Sequence, residues 1–149
     1  MQRVRTNSPL SSFRALVLIA VAALVAGVHA RALAEESEAY VVEISDVSAK
    51  VGEPAVMVAT LKVRDGYRIL KSYNNRVISL SSFDDGVTFD RKMVPATVQE
   101  EALVFAVGLR ATKPGKHPIN GIFRVGYIHG TDEFAMVSVR LIANVTGTE

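Results

Sequence analysis

Two of the three histidines and a scatter of acidic residues are the side chains that could support catalysis or metal binding outside the N-terminal segment. His129 lies in "GYIHGTDEF" (126–134), close to Asp132 and Glu133. His117 is twelve positions upstream, in a segment with the spacing of a strand. At about 3.3 Å per residue, an unbroken strand would place the two histidines ~40 Å apart. Because a metal centre needs three or four ligands that converge, this pair cannot share an ion. The spacing therefore favours a solvated hairpin tip.

Other constellations are equally weak. Asp84, Asp85 and Asp90 surround Gly86, but the spacing of a calcium loop is absent and an Asp-Gly turn explains the cluster. No serine lies in a nucleophile-elbow context. The chain contains no cysteine, which rules out thiol redox chemistry, cysteine nucleophiles and cysteine-ligated metals. We therefore predict a protein without a cofactor or metal that is not an enzyme. A metal-binding or hydrolytic protein using the His129 hairpin is the weaker alternative.

The N-terminus has the features of an export signal. Arg3, Arg5 and Arg14 precede the apolar run "ALVLIAVAALVAGV" (15–28), and small residues follow in "HARALA" (29–34). This order is typical of a secretory signal peptide, residues 1–34, cleaved after Ala34 or alternatively after Ala30. The run is shorter than the roughly 20 residues of a spanning helix, although an uncleaved anchor is the other possibility. We expect a periplasmic or secreted protein, most simply a bacterial Sec substrate that meets the membrane only through its signal peptide.

Removal of the signal peptide changes the charge balance. Four of the 17 basic residues lie within it, whereas all 15 acidic residues follow it. The remaining chain is slightly acidic and has no basic run, which argues against nucleic acid as a partner. Residues 35–39 ("EESEA") are predicted to be a disordered acidic lead, and residues 40–147 to form one domain.

Apolar and polar residues alternate almost throughout residues 40–147, which predicts strands. Seven or eight strands are expected, separated by turn signals such as "KVGEP" (50–54) and "TKPGKH" (112–117). This pattern suits an all-β, immunoglobulin-like sandwich. Residues 64–75 ("RDGYRILKSYNN") interrupt the alternation and are predicted to be a long connection.

Residues 51–80 ("VGEPAVMVATLKVRDGYRILKSYNNRVISL") and 111–128 ("ATKPGKHPINGIFRVGYI") carry a family resemblance. The chain resembles, over about residues 50–145, the periplasmic N-terminal immunoglobulin-like domain of the thiol:disulfide interchange protein DsbD. The resemblance implies the same fold and compartment, and docking of another exported protein at the last hairpin. In the redox-active relatives that hairpin carries two cysteines, whereas "YIHGTDEFA" (127–135) has none. Electron transfer therefore cannot be carried over.

The remaining function is protein binding, and two segments are candidates for it. Tyrosine, arginine and amide side chains are common at protein interfaces, and they are concentrated in the long connection. Asn74 and Asn75 belong to this group, but the alternative is that Tyr67 and Ile69 only plug the end of the sandwich. A structural module that pairs through its sheet edges is a rival hypothesis. The candidate partner-binding residues from the connection and the last hairpin are Tyr67, Arg68, Lys71, Tyr73, Tyr127, His129 and Asp132.

Overall fold

The computed structural model describes residues 37–149, and these form strands and turns without a helix. The predicted signal peptide and its cleavage site at Ala34 lie outside the described residues. Within residues 37–149 there is no helix with the length and apolar character needed to cross a membrane. The eleven strands of this region are β1 (Tyr40–Ile44), β2 (Val47–Lys50), β3 (Pro54–Val63), β4 (Tyr67–Ile69), β5 (Arg76–Ser82), β6 (Val87–Phe89), β7 (Val94–Pro95), β8 (Thr97–Gln99), β9 (Ala102–Ala111), β10 (Gly115–His129) and β11 (Glu133–Thr148).

The strands form two sheets, which confirms the predicted all-β sandwich. One sheet has the order β1-β3-β9-β6, with β8 also paired to β9. The second has the order β2-β11-β10-β5-β7, with β4 also paired to β10. If β1, β3, β5, β6, β9, β10 and β11 are read as strands A to G, the sheets contain ABED and GFC, as in immunoglobulin constant-type domains. These are the seven strands predicted from the alternation. The four that were not predicted, β2, β4, β7 and β8, are two to four residues long.

Alternation places one face of each long strand in the core, as predicted. Met57, Ala59 and Leu61 of β3 are buried, and every second residue of β9 from Leu103 to Ala111 is buried with them. From the other sheet, Phe123 of β10 meets Phe105 with ring centroids 4.9 Å apart. Because these side chains fill the space between the sheets, the fold needs no disulfide bond, and the described residues contain no cysteine.

The chain enters the sandwich close to the predicted long connection. Of the acidic lead, the structure describes residues 37–39. Ala39 is buried and its carbonyl accepts a hydrogen bond from the Arg64 backbone N–H at 2.9 Å. The Arg64 Nε–H donates to the Ser37 carbonyl at 3.0 Å. The start of β1 and the end of β3 are thus held together beside the connection that leads to β4.

Candidate protein-binding surface

Pairing of β4 with β10 joins the two segments that the sequence marked as candidates. The register is antiparallel and sets Tyr67 opposite His129, Arg68 opposite Ile128 and Ile69 opposite Tyr127. The Arg68 guanidinium also donates a hydrogen bond from Nη2 to the Gly130 carbonyl at 3.2 Å. The long connection and the last hairpin therefore lie at the same end of the sandwich. We call the seven candidate residues at this end the end surface: Tyr67, Arg68, Lys71, Tyr73, Tyr127, His129 and Asp132.

The rings of the end surface form a continuous aromatic stack. Tyr67 lies almost parallel to His129, with ring centroids 4.5 Å apart and planes inclined by 22°. Tyr67 meets Tyr127 edge-on with ring centroids 5.6 Å apart, and the Tyr127 ring lies 6.1 Å from that of Tyr40, the buried first residue of β1. Tyr67 and Tyr127 are half-buried, whereas His129 is exposed. The stack therefore leads from the core to solvent and closes this end of the sandwich.

The position of Tyr67 combines both interpretations made from the sequence. Ile69 is buried in the core and Tyr67 packs against it, so the start of β4 does plug the sandwich end. Arg68, between them, is exposed. Alternation along β4 thus turns Tyr67 toward the stack and Arg68 toward the outer face of the sheet.

Tyr73 lies on the outer face of the same sheet, over Gly126 of β10. A Cβ atom at Gly126 would lie 3.1 Å from both Cβ and Cγ of Tyr73, which is tighter than ordinary van der Waals contact. Glycine at this position therefore lets the connection pack directly on the strand. Tyr73 is half-buried, whereas Lys71, two residues earlier, is exposed.

Asn75 holds this connection against β10. Its side chain is 6% exposed. Its Oδ1 accepts a hydrogen bond from the Gly126 N–H at 2.8 Å, and its Nδ2 donates to the carbonyls of Leu70 and Tyr73 at 3.1 and 3.2 Å. One buried amide thus satisfies three backbone groups that lie outside the sheet ladder. The composition of the connection placed Asn75 among possible contact residues, but its role here is to position Tyr73 and Leu70.

Glu101 is a second positioning residue, and the sequence did not single it out. Its Oε2 accepts a hydrogen bond from the Ile69 N–H at 3.1 Å. Its own carbonyl accepts one from the Val63 N–H at 3.2 Å. Glu101 therefore links the turn before β9 to the last residue of β3 and to the last residue of β4. A single acidic residue in a turn has no sequence signal that would reveal this contact.

The hairpin tip carries one weak polar pair. His129 Nδ1 lies 3.3 Å from Glu133 Oε2, and the two side chains are 52% and 79% exposed. Asp132 is exposed in the turn between β10 and β11. Among residues 37–149, no three or more histidine, cysteine, aspartate or glutamate side chains are grouped as metal ligands would be.

His117 lies at the other end of β10, as predicted, and has a different environment. Its Nδ1 is 2.7 Å from Asp84 Oδ2, and its Nε2 is 2.9 Å from the Lys113 carbonyl. The hydrogen bond to Asp84 is the main cause that raises the pKa of His117 above 6.5. The same bond, with one from the Gly86 N–H, lowers the pKa of Asp84 to about 2.

His117 occupies a position similar to that of the corner tyrosine in immunoglobulin-like domains. In immunoglobulin-like domains, a tyrosine near the start of strand F bonds back to the backbone a few residues upstream. Here His117 is near the start of the equivalent strand β10 and bonds back to Lys113. The Asp84–Gly86 region forms the predicted turn, with Asp84 Oδ1 accepting the Gly86 N–H at 2.9 Å. These groups therefore fasten the end of the sandwich opposite the end surface.

Comparison with known proteins identifies no relative from which a function could be transferred. Neither the protein-family models nor the curated proteins include a match to this chain.

Proposed function

We propose that this protein is an exported, non-catalytic binding domain that docks another exported protein through its end surface. The main support for this proposal is the pairing of β4 with β10, which sets residues of the connection directly opposite residues of the last hairpin. Had the two segments lain at opposite ends of the sandwich, a shared surface would have been impossible. The function proposed is that of a DsbD N-terminal domain that has lost its redox centre and kept its docking surface.

The chemistry of the end surface supports a protein partner. Tyr67, Tyr127 and His129 offer ring surface that loses little conformational entropy on binding, because neighbouring rings already hold them. Arg68, Lys71 and Asp132 are exposed at the same end of the sandwich and can provide charge complementarity beside the rings. A rigid aromatic centre with a polar rim is the usual anatomy of a protein interface.

Sheet-edge pairing is the second candidate function, and β11 is the strand that favours it. On one side β11 pairs with β10 along its length, whereas on the other β2 pairs only with Val145–Thr148. Among residues 37–149, no strand lies beside Glu133–Asn144 on that side, and an open edge of this length can accept an added strand. The end surface remains the first candidate because side chains of two separate segments meet there.

Site-specific photocrosslinking tests the proposal. A photoreactive residue is placed at Lys71, at Asp132 or, as control, at Thr88 of β6, which is exposed at the His117 end of the molecule. The three proteins are exported in the source cell and irradiated there. We expect one protein to be captured from positions 71 and 132 and not from 88. An excess of unlabelled wild type should compete, but an Arg68→Glu/His129→Ala variant should not. Capture of the same proteins at all three positions would contradict the proposal.

A further inference from the structure

The outer face of the six-stranded sheet carries a row of exposed apolar side chains on β11. Phe134, Met136 and Ile142 point away from the core and are 58%, 64% and 50% exposed. Ser138 and Arg140 lie between them on the same face, because alternate residues of β11 from Phe134 to Ile142 are exposed. The exposed apolar side chains thus form two groups at the two ends of this face, Phe134 with Met136 and Ile142 with Phe83. Apolar groups rimmed by polar residues in this way mark an interaction surface.

Arg140 lies within this row, and two further arginines lie beside it. Arg124 of β10 pairs with Ser138, and the neighbouring Ile122 pairs with Arg140. On its other side, Arg124 is directly opposite Arg76 of β5. Like charges directly opposite each other on adjacent strands destabilise a sheet. This arrangement therefore needs an explanation other than stability of the free domain.

No carboxylate of the described chain neutralises these arginines. The acidic partners in the ion pairs of residues 37–149 are Glu53, Glu43, Asp84 and Glu133, bound to other basic groups. Arg76 Nη1 donates to the Asn74 carbonyl at 2.5 Å, which leaves its charge uncompensated. The outward positions are free of aspartate and glutamate from Lys116 to Ile128 in β10 and from Phe134 to Thr148 in β11.

A groove adjoins the face at the end away from the hairpin tip. A β-bulge between Asn120 and Ile122 changes the register with β5, and Ser79 adopts a positive φ of 56° there. The resulting cavity of about 410 Å³ is lined by Phe83, Ile122 and Ile142, with Arg140 at its side. Phe83 is 64% exposed. The groove can therefore accept an apolar side chain next to a positive charge.

We propose that this face binds an acidic segment or surface of a protein partner, with carboxylates over the arginines and apolar side chains on β11 and in the groove. We call it the basic face, defined by Arg76, Arg124, Arg140, Phe134, Met136 and Ile142. Aromatic residues, methionine and arginine are enriched at protein interfaces, whereas lysine, glutamate and aspartate are depleted. A second copy of this chain is a poor partner for the same face, because its own three arginines would lie against Arg76, Arg124 and Arg140 and repel them.

An anionic membrane is the other class of occupant, and the arrangement favours it less. Membrane-binding surfaces present one apolar side flanked by basic residues. On the basic face, the arginines lie in the centre, between Phe134 and Met136 at one end and Ile142 and Phe83 at the other. Burial of both apolar groups in a bilayer would therefore carry the central guanidinium groups with them, at a considerable cost.

Selection from a random dodecapeptide library displayed on phage tests the basic face without knowledge of the natural partner. Wild-type protein lacking residues 1–34 is the bait. The test variant is Arg124→Glu/Arg140→Glu, and the matched control is Arg91→Glu/Lys92→Glu, which makes the same charge change at exposed residues of the loop between β6 and β7, outside the basic face. Circular dichroism and thermal unfolding establish that both variants are folded. Vesicles of phosphatidylcholine with about one third phosphatidylglycerol are measured in parallel.

We expect the enriched peptides to carry a net negative charge and at least one large apolar residue. Their affinity should fall by about tenfold or more in the Arg124→Glu/Arg140→Glu variant and remain within about twofold in the control. Enrichment of neutral or basic peptides, or no enrichment above background, would overturn the proposal. Binding to the anionic vesicles that the test variant loses, without selection of acidic peptides, would assign the face to a membrane instead. Neither variant changes a residue of the end surface, although Arg68 and Tyr73 lie on the same outer face of the sheet. Loss of affinity in Arg124→Glu/Arg140→Glu therefore tests the basic face itself, and crosslinking from positions 71 and 132 tests the end surface separately.

Discussion

Tyr67 and His129, 62 residues apart in the chain, stack with ring centroids 4.5 Å apart and planes inclined by 22°. They meet because the three residues of β4 pair with the last three residues of β10, Tyr127 to His129, just before the hairpin turn. The contact makes a long connection and a hairpin into one surface. It also packs the Tyr67 ring against His129, the last residue of β10 before the hairpin tip.

Removal of the Tyr67 ring should loosen this end of the molecule. An aromatic pair contributes about 0.5–1.5 kcal/mol beyond burial of its area, and Tyr67 contacts two rings. We expect Tyr67→Ala to lower the free energy of unfolding by about 1–3 kcal/mol, measured by urea denaturation. Tyr67→Phe keeps both ring contacts and should remain within about 0.5 kcal/mol of wild type. Equal losses for the two variants would show that the hydroxyl group, not the stack, is important.

Asn75 should be more important for stability than its neighbour in sequence. Asn75→Ala leaves the buried Gly126 N–H without its acceptor, and an unsatisfied buried donor costs about 1–3 kcal/mol. Asn74 is exposed, and its carbonyl rather than its side chain bonds to Arg76. Asn74→Ala should therefore be nearly neutral in the same urea titration. Hydrogen exchange at Leu70–Tyr73 should accelerate only in Asn75→Ala, and unchanged exchange there would refute the positioning role.

The long strands were predictable from sequence, but the contacts that build the end surface were not. Alternation identified β3, β9, β10 and β11 as strands, because burial of one sheet face leaves a local signal of period two. The strand β4 has three residues within a turn-rich connection, too few for a period to appear. Its pairing partner is about 60 residues away, and nothing local specifies the register. The same holds for Asn75. From the sequence it is one more amide in a polar connection, because its burial depends on the Gly126 backbone, 51 residues away.

The contact between His117 and Gly86 offers a sharp test of the opposite end. A Cβ atom at Gly86 would lie 2.0 Å from Nδ1 of His117. Gly86→Ala should therefore displace the ring and destabilise the domain by about 1–3 kcal/mol. In a His117→Ala background the ring is gone, and the same substitution should cost much less. Thermal or urea unfolding of the four proteins gives the coupling directly. Additive effects of the two substitutions would contradict the structure.

The His117–Asp84 pair also predicts how stability depends on pH. The raised pKa of His117 means that its contribution is complete below 6.5 and is lost as the pH rises through its folded-state pKa. The pKa of Asp84, lowered from 3.8 to about 2, gives a contribution that is present above 3.8 and is lost as the pH falls toward 2. The contribution of the pair should thus be largest between about pH 4 and 6.5.

Urea midpoints measured across this range provide the readout. We expect the urea midpoint of wild type to exceed that of Asp84→Asn by the largest amount near about pH 5, and the difference to decline at lower and higher pH. The substitution removes the carboxylate that perturbs His117 while keeping a side chain of similar size. A difference that stays constant with pH would mean that the pair does not titrate as a unit.

The affinity of the partner captured by crosslinking tests the central claim most directly. Isothermal titration calorimetry with that partner compares wild type, Arg68→Ala/His129→Ala and the control Arg91→Ala/Thr88→Ala, in which the changed residues are exposed away from the end surface. Docking through the end surface predicts that the first variant loses about tenfold or more in affinity, while the control binds like wild type. Equal affinity of all three proteins would contradict the account.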